Sequence, residues 1–475
     1  MEQENNMQTE VQETVAVDAP ATENAEKQEK KHTGFTSKIG FVLAAAGSAV
    51  GLGNLWRFPY LTARYGGLFI LIYIIFAVTF GFSLLTLEIA IGRKTGKDVV
   101  GAFGTLNKKT KWFGFFSLVV PVIIVPYYCV IGGWVMKYLV AYMNGAGATG
   151  VLTADYFSSF ISGSWEPLIY FLIFAAMTFI VVVFGVQKGI EKVSKILMPL
   201  LAIIAVALAI FVLCQPGALE GLKYVFVPNF KNFSGQIFLD ALGQLFYSMS
   251  LAMCIMITYG SYMKKSENIQ KCGRQISIFD TGFAIVASLI IIPAIFAFSA
   301  NPDADIASSG PSLMFITLPN VFGAFSFGNL LGILFFILVL FAALTSSISL
   351  FEAIVAVLCK NFKLKRLHAC FIVFGIIVVL GVLSSLGFGP LSMISLGGMT
   401  ILDMFDFISN SVLMPIVAIG TCLIAGYFIN TKLITEELGL KEKSRNETYF
   451  KIMIRYIVPV CLLAILVSGI VTLFI

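Results

Sequence analysis

The sequence predicts an all-α integral membrane protein of eleven transmembrane helices, two of them interrupted halfway across the bilayer. Three observations predict it. Hydrophobic residues make up 58% of the 475 and charged residues 12%, with a mean hydropathy of +0.91, whereas soluble domains carry about 25% charged residues. Eleven apolar runs are each long enough to cross a roughly 30 Å hydrocarbon core. Lys and Arg gather in alternate connections, the asymmetry that orients a membrane chain. The length fits one large helical bundle.

Residues 1–31 are polar and poor in apolar side chains, which predicts a disordered cytoplasmic tail. The tail lacks the apolar core of a cleaved signal peptide. The remaining 32–475 form the membrane domain, with spans expected near 39–62, 66–92, 113–142, 167–185, 193–214, 237–262, 276–299, 326–358, 367–387, 400–428 and 449–474. Spans 1–5 thus cover about 39–214, spans 6–10 about 237–428 and span 11 about 449–474. The run 391–428 leaves open one tilted helix with a loop or two short spans. With the N-terminus placed inside, 27 of the 32 Lys and Arg fall in the tail and the inner connections. That bias predicts a cytoplasmic N-terminus, an external C-terminus and a cell inner (plasma) membrane location. It also accounts for the net charge of +6 without a nucleic-acid partner; the expected partner at this level is the lipid bilayer.

The first span carries the most informative stretch. Helix from Ile39 to Val50 climbs roughly 18 Å, a little past mid-membrane. There the sequence reads Gly47-Ser48-Ala49-Val50-Gly51-Leu52-Gly53-Asn54, three glycines among seven residues and then an amide. Glycine leaves helical geometry readily, and an opened helix in lipid frees carbonyls and amides that must find partners. Span 6 carries a second candidate break, Ser248-Met249-Ser250-Leu251, after ten residues or roughly 15 Å from the other side. Paired interruptions at matching places in two five-span halves are the sequence pointer to a secondary transporter's binding site.

Other chemistries lack their residues. The eight cysteines form no CxxC pair and read as small buried hydrophobes, and the two histidines, His32 and His368, lie near membrane edges. There is no phosphate-cradling GxxxxGK[ST] and no nucleophile elbow. The expectation is a protein that is not an enzyme.

Several runs resemble the neurotransmitter:sodium symporters, the LeuT-like group. They are GSAVGLGNLWRFPY at 47–60, TARYGGLFILIYII at 62–75, Glu88 with Gly92-Arg93, and Tyr127-Tyr128 with Trp134. Further on come GQLFYSMSL at 243–251, ITYGSY at 257–262, FAALTSSIS at 341–349 and LDMFDF at 402–407. The matches run in order over nearly the whole chain after the tail. The resemblance implies the LeuT fold, a 5+5 inverted repeat with broken helices 1 and 6. The eleven spans suit the shorter bacterial members.

It also implies two sodium sites and one amino acid. The family pattern places one Na+ on the carbonyls of Gly47, Val50 and Ala342 and the hydroxyls of Thr345 and Ser346. The other falls on Ala49, Asn54, Ser248 and Asp280 with the substrate carboxylate. Oxygen-rich sets of this kind suit hard cations. The substrate carboxylate falls on the amides of Leu52 and Gly53 and the Tyr128 hydroxyl, and the ammonium on the carbonyls of Ala49 and Tyr247 and on Ser250. The side-chain pocket falls on Ile124, Tyr128, Tyr247, Met253, Met256, Ser346 and Leu350, with Phe246 beside the lid. It holds no charge, so a hydrophobic or aromatic L-amino acid is expected. Gly51 stands where monoamine-carrying relatives place an acid, which favours a substrate with its own carboxylate.

Arg57, Gln244 and Asp406 are implied as an outer polar gate, and Tyr262 as part of the inner one. The inner gate departs from the family pattern: Phe35 stands at a Trp position, His32 or Lys31 at a basic one, and Lys360 where an acid is expected. Asp280 stands where many relatives carry Asn, and Ala284 where chloride-using relatives present a hydroxyl. The expectation is that Asp280 supplies the negative charge chloride supplies elsewhere, so that no chloride is needed. A non-transporting amino-acid sensor of the same fold is the alternative reading.

Overall fold

The computed structural model describes residues 34–148, 152–230, 233–299, 302, 313–323, 327–395 and 397–474. The expected tail, Lys31 and His32 lie outside them. Among the described residues the architecture is helical throughout, without a sheet. Nine continuous apolar helices are long enough to cross a membrane: Gly67–Thr95, Lys108–Met143, Glu166–Val183, Val186–Leu213, Ile269–Phe298, Gly328–Asn361, Arg366–Leu386, Ile401–Phe428 and Arg445–Val471. These are spans 2–5 and 7–11. Span 1 is the pair Lys38–Ala49 and Gly53–Tyr65, bent by 53° at its break. Span 6 is Gly235–Ser248 followed by Ile255–Tyr262, with six residues between them that are not helical. The run 391–428 resolves into one span, since 391–400 form a turn-rich connection before Ile401.

Spans 1–5 and 6–10 each begin with a broken helix. Five is odd, so span 6 enters from the opposite end to span 1 and the two sets are inverted. Both breaks fall in the middle of the bundle, where span 8 packs against both span 3 and span 1. Around this centre the core is continuous and apolar, while the outward faces of spans 4, 5 and 11 expose residues such as Ile180, Ile203 and Val460. A bilayer, rather than water, suits such a surface.

Small residues set the closest helix crossings. A methyl added at Gly92 of span 2 would lie 1.9 Å from the Ile257 carbonyl oxygen, and one at Gly260 of span 6 would lie 2.4 Å from the Ile89 oxygen. The second half of span 6 therefore touches span 2 backbone to backbone, as small residues permit in membranes. One turn on, Arg93 pairs with Glu437 at 2.6 Å in the connection before span 11, and Lys265 joins the same carboxylate at 3.1 Å.

Gly92→Ala should thus force the two backbones apart and cost about 1–3 kcal/mol. A lowered melting temperature of the detergent-purified protein checks it. Gly375→Ala, where an added methyl meets nothing within 4 Å, should leave that temperature unchanged, and equal melting of both variants would contradict the packing argument.

Candidate functional site

The break in span 1 begins at Val50, whose backbone turns extended (φ −75°, ψ 96°) and ends the helix. Several of the groups freed there find partners in the bundle centre. The Gly51 amide donates to Asn54 Oδ1 at 3.1 Å, and the Leu52 amide to the Tyr128 hydroxyl at 3.1 Å. Ser346 Oγ, on span 8, lies 3.3, 3.0 and 3.5 Å from the carbonyl oxygens of Gly47, Ser48 and Val50. One hydroxyl proton cannot serve three acceptors, so the cluster is rich in oxygen and short of positive charge. Thr345 Oγ1 donates to Ala342 O at 3.1 Å beside it. A methyl on Gly47 would meet the Thr345 Cβ at 3.2 Å and the Met198 sulfur at 3.1 Å. Gly47, Val50, Ala342, Thr345 and Ser346 are thus brought together, with Met198 of span 5 as a further neighbour.

A second cluster forms on the other side of span 1. Asp280 of span 7 is fully buried. Its Oδ1 accepts from Asn54 Nδ2 at 2.8 Å and from Ser248 Oγ at 2.7 Å, and its Oδ2 from the Tyr73 hydroxyl at 3.2 Å. Among the described residues no Lys or Arg pairs with it. A carboxylate in that position is costly unless a positive charge or a set of donors compensates it. Tyr73 was missing from the expected ligand set. Its signal in the sequence is a phenol inside the apolar run of span 2, where a hydroxyl must find a partner.

The break in span 6 runs over Met249–Cys254, beginning one residue and ending three residues further along than the Ser248–Leu251 run that the sequence indicates. Three residues other than glycine take left-handed backbone there: Ser250 (φ 52°), Ala252 (φ 59°) and Cys254 (φ 64°). Such residues cost free energy unless surrounding contacts hold them. Glu88 Oε1 accepts the Ala252 amide at 2.8 Å, the Cys254 thiol donates to Ser117 O at 3.3 Å, and Ser250 Oγ donates to Ser48 O at 2.8 Å. The last of these bonds links the two breaks directly.

Between the breaks lies a cavity of about 20 Å³, lined by both broken segments and by Ile124, Tyr128, Ser346 and Leu350. This is room for about one water, so a larger solute can enter only as the walls part. No charged side chain lines it. Ala49, Leu52, Gly53, Tyr247, Ser250 and Met253 are in the lining; Met256 is not, and Ile255 takes its place. Met256 is implied by the family pattern, but after six non-helical residues the helix presents Ile255 to the cavity instead. Phe246 likewise faces away, into a second cavity of about 320 Å³ on the side away from the lysine-rich end.

Arg57 lines that outer cavity. It forms no salt bridge with Asp406, whose Oδ1 instead accepts from Tyr127 at 3.0 Å and Asn410 at 2.5 Å. Gln244 Nε2 donates to Gly53 O at 3.0 Å, tying span 6 to the break. At the lysine-rich end the bundle is sealed. Phe35 packs edge-on against Tyr259 and Tyr262, with ring centres 5.4 and 6.3 Å apart. The Tyr262 hydroxyl donates to Glu352 Oε1 at 2.8 Å, and Arg366 pairs with the other oxygen. Lys360, at the position where an acid was expected, instead lies over the Tyr262 ring at 5.4 Å. Glu352 was not singled out from the sequence; it is an acid within the apolar run of span 8 with an Arg fourteen residues on.

Glu352→Gln would leave Arg366, itself only 29% exposed, without its counter-charge. The expected loss is up to about 3 kcal/mol, seen as a lower melting temperature. Glu442→Gln, which breaks a solvent-exposed pair with Lys432, should change stability by less than about 0.5 kcal/mol.

The sodium:neurotransmitter symporter family model matches residues 32–149 and 160–474. A sodium-dependent transporter of Bacillus subtilis, YhdH, is 36% identical over 453 residues, covering 93% of this chain and 98% of the relative. One from Haemophilus influenzae is 30% identical over 93% and 98%. The crystal structure of MhsT in complex with L-phenylalanine superimposes with a TM-score of 0.82 at 37% identity, covering 92% of this chain and 99% of MhsT. A rat sodium- and chloride-dependent taurine transporter is 28% identical over 82% of the chain. Two broken helices meeting at an uncharged central cavity, on this fold and with these relatives, lead to one conclusion: the chain belongs to the sodium:neurotransmitter symporter family, as a sodium-dependent transporter and not an enzyme.

Proposed function

We propose that the protein carries a neutral hydrophobic or aromatic L-amino acid into the cell together with two sodium ions, by alternating access and without chloride. The observation that carries this reading is the excess of oxygen over hydrogen-bond donors around the span 1 break. Gly47, Val50, Ala342, Thr345 and Ser346 would hold one ion. Ala49, Asn54, Ser248 and Asp280 would hold the other, with the substrate carboxylate as a further ligand.

For Asn54 to bind a cation, its amide must turn its oxygen toward Asp280. That rotation would release the Gly51 amide now bonded to Asn54 Oδ1, next to the Leu52 and Gly53 amides that open the following helix. Amides at a helix start suit a carboxylate. Sodium at this site would in this way prepare the place for the substrate, and the substrate would complete the sodium shell. The uncharged wall of Ile124, Met253, Ile255 and Leu350 suits a bulky apolar side chain, and L-phenylalanine bound to MhsT agrees with that size class.

Lysine placement supports a cytoplasmic N-terminus and external C-terminus in the plasma membrane. The sealed lysine-rich end would then be the cytoplasmic gate, closed by Phe35, Tyr262, Glu352 and Arg366, and the Arg57-lined cavity would open outward. Each sodium gains about 2.3 kcal/mol per 100 mV, plus about 1.4 kcal/mol per tenfold gradient. Two ions supply roughly 7 kcal/mol, enough for about 10⁵-fold accumulation of a zwitterion.

Uptake by proteoliposomes from a panel of neutral amino acids tests the assignment. Sodium-driven accumulation of bulky apolar members, unchanged when gluconate replaces chloride, is expected. A steep chloride requirement would overturn the role given to Asp280. Asp280→Asn should weaken the sodium dependence by at least about tenfold, the worth of one charge-assisted ligand.

A further inference from the structure

Away from the transport path, a cleft of about 580 Å³ opens on the lipid-facing surface between span 2, span 7 and the start of span 11. Its lining carries apolar side chains, with Val78 and Ile278 66% and 64% exposed and Phe82 and Phe450 beside them, interspersed with the small hydroxyls of Thr79, Ser83, Thr86 and Ser277. Its other end is polar, with Arg274 and Asn446. Gln270 closes the floor by donating to Leu438 O at 3.1 Å.

Arg274 is the informative residue. It is exposed, and among the described residues it has neither an ion pair nor a hydrogen bond. Two acids of this end are engaged elsewhere, Glu437 with Arg93 and Lys265 and Glu447 with Lys451, and none pairs with Arg274 among the described residues. Asp280 is on the opposite, buried side of the same helix. Along span 7, Ile269–Phe298, Arg274 lies nine or ten residues from the midpoint, roughly 14 Å. That is the rim of a roughly 30 Å hydrocarbon core, the level at which a guanidinium reaches lipid phosphate. A free cation at that depth, continuous with an apolar trough running toward the membrane centre, matches a molecule with an anionic head and acyl chains. Arg suits a phosphodiester better than Lys does, because its planar fork meets two oxygens at once.

We propose that this cleft binds an anionic phospholipid of the inner leaflet. Its phosphodiester sits on Arg274 and Asn446, and an acyl chain lies along Val78, Phe82 and Ile278. The lipid bridges spans 2 and 7, which carry Tyr73 and Asp280 on their inner faces. The inference rests on the reading of the lysine-rich end as cytoplasmic, and its test does not use transport, so the two can fail separately.

The test is native mass spectrometry of the full chain with equal amounts of phosphatidylglycerol and phosphatidylcholine of matched chains. The wild type should retain phosphatidylglycerol in several-fold preference. R274Q should lower that retention by about five- to tenfold, the worth of one cation at the lipid surface, while R274K keeps part of it. K109Q, an exposed lysine of another inner connection, should keep it all. I278W, which fills the cleft from its open side and leaves Arg274 in place, should lose it as R274Q does. Phosphatidylglycerol should raise the wild-type melting temperature and inorganic phosphate should not. Equal retention of the two lipids, R274Q or I278W indistinguishable from the wild type, or equal stabilisation by inorganic phosphate would each overturn the proposal.

Discussion

A backbone opened inside hydrocarbon has no water to turn to, and the centre of this molecule is organised by that constraint. Two residues of span 1, Val50 and Gly51, and six of span 6 leave helical geometry at mid-bundle. Side chains from spans 2, 3 and 8 answer them: Glu88 takes the Ala252 amide, Tyr128 the Leu52 amide, and Ser346 approaches three carbonyls at once. Amides are well served in this arrangement and carbonyls are not. The imbalance leaves the centre in want of cations, and it follows from backbone chemistry before any ligand is considered.

The second constraint is the buried carboxylate of Asp280. With Asn54, Ser248 and Tyr73 donating to it and, among the described residues, no Lys or Arg paired with it, it holds a negative charge next to the span 1 break. Two clusters, one of neutral oxygens and one with a formal charge, therefore flank a cavity that has no charge in its own wall. Such a cavity can favour a zwitterion only through its ends, where broken-helix amides and carbonyls point inward. Closure at the lysine-rich end by aromatic rings and the Glu352–Arg366 pair, with a cavity at the other, leaves the centre approachable from one side.

Much of the fold was legible in the sequence, because apolar run length and lysine placement read directly onto membrane spans. The span 1 break was legible to within one residue: the expected helix runs to Val50, and the observed one ends at Ala49, just before Gly51. The span 6 break was not. Its left-handed positions are Ser250, Ala252 and Cys254, residues that carry no signature of such backbone, and the break therefore falls further along than the serines suggest. Met256, on the helix after the break, does not line the cavity, and Phe246, on the helix before it, lines the second cavity instead. Tyr73, Glu352 and the separation of Arg57 from Asp406 depend on side-chain partners far apart in the chain. Residue type alone marks them only as polar groups in apolar runs.

The central claim is that the substrate carboxylate and a sodium ion share one set of ligands around Asn54 and Asp280. Mutual dependence of their affinities tests it most directly, since coupling between two ligands must be reciprocal. Equilibrium binding to the purified protein, with sodium titrated at several concentrations of a transported amino acid and of the matching amine that lacks the carboxylate, gives both factors. The account predicts that the amino acid tightens sodium binding by the same factor by which sodium tightens the amino acid, and that the amine gives no such coupling. Sodium affinity indifferent to the amino acid, or equal coupling with the amine, would contradict it.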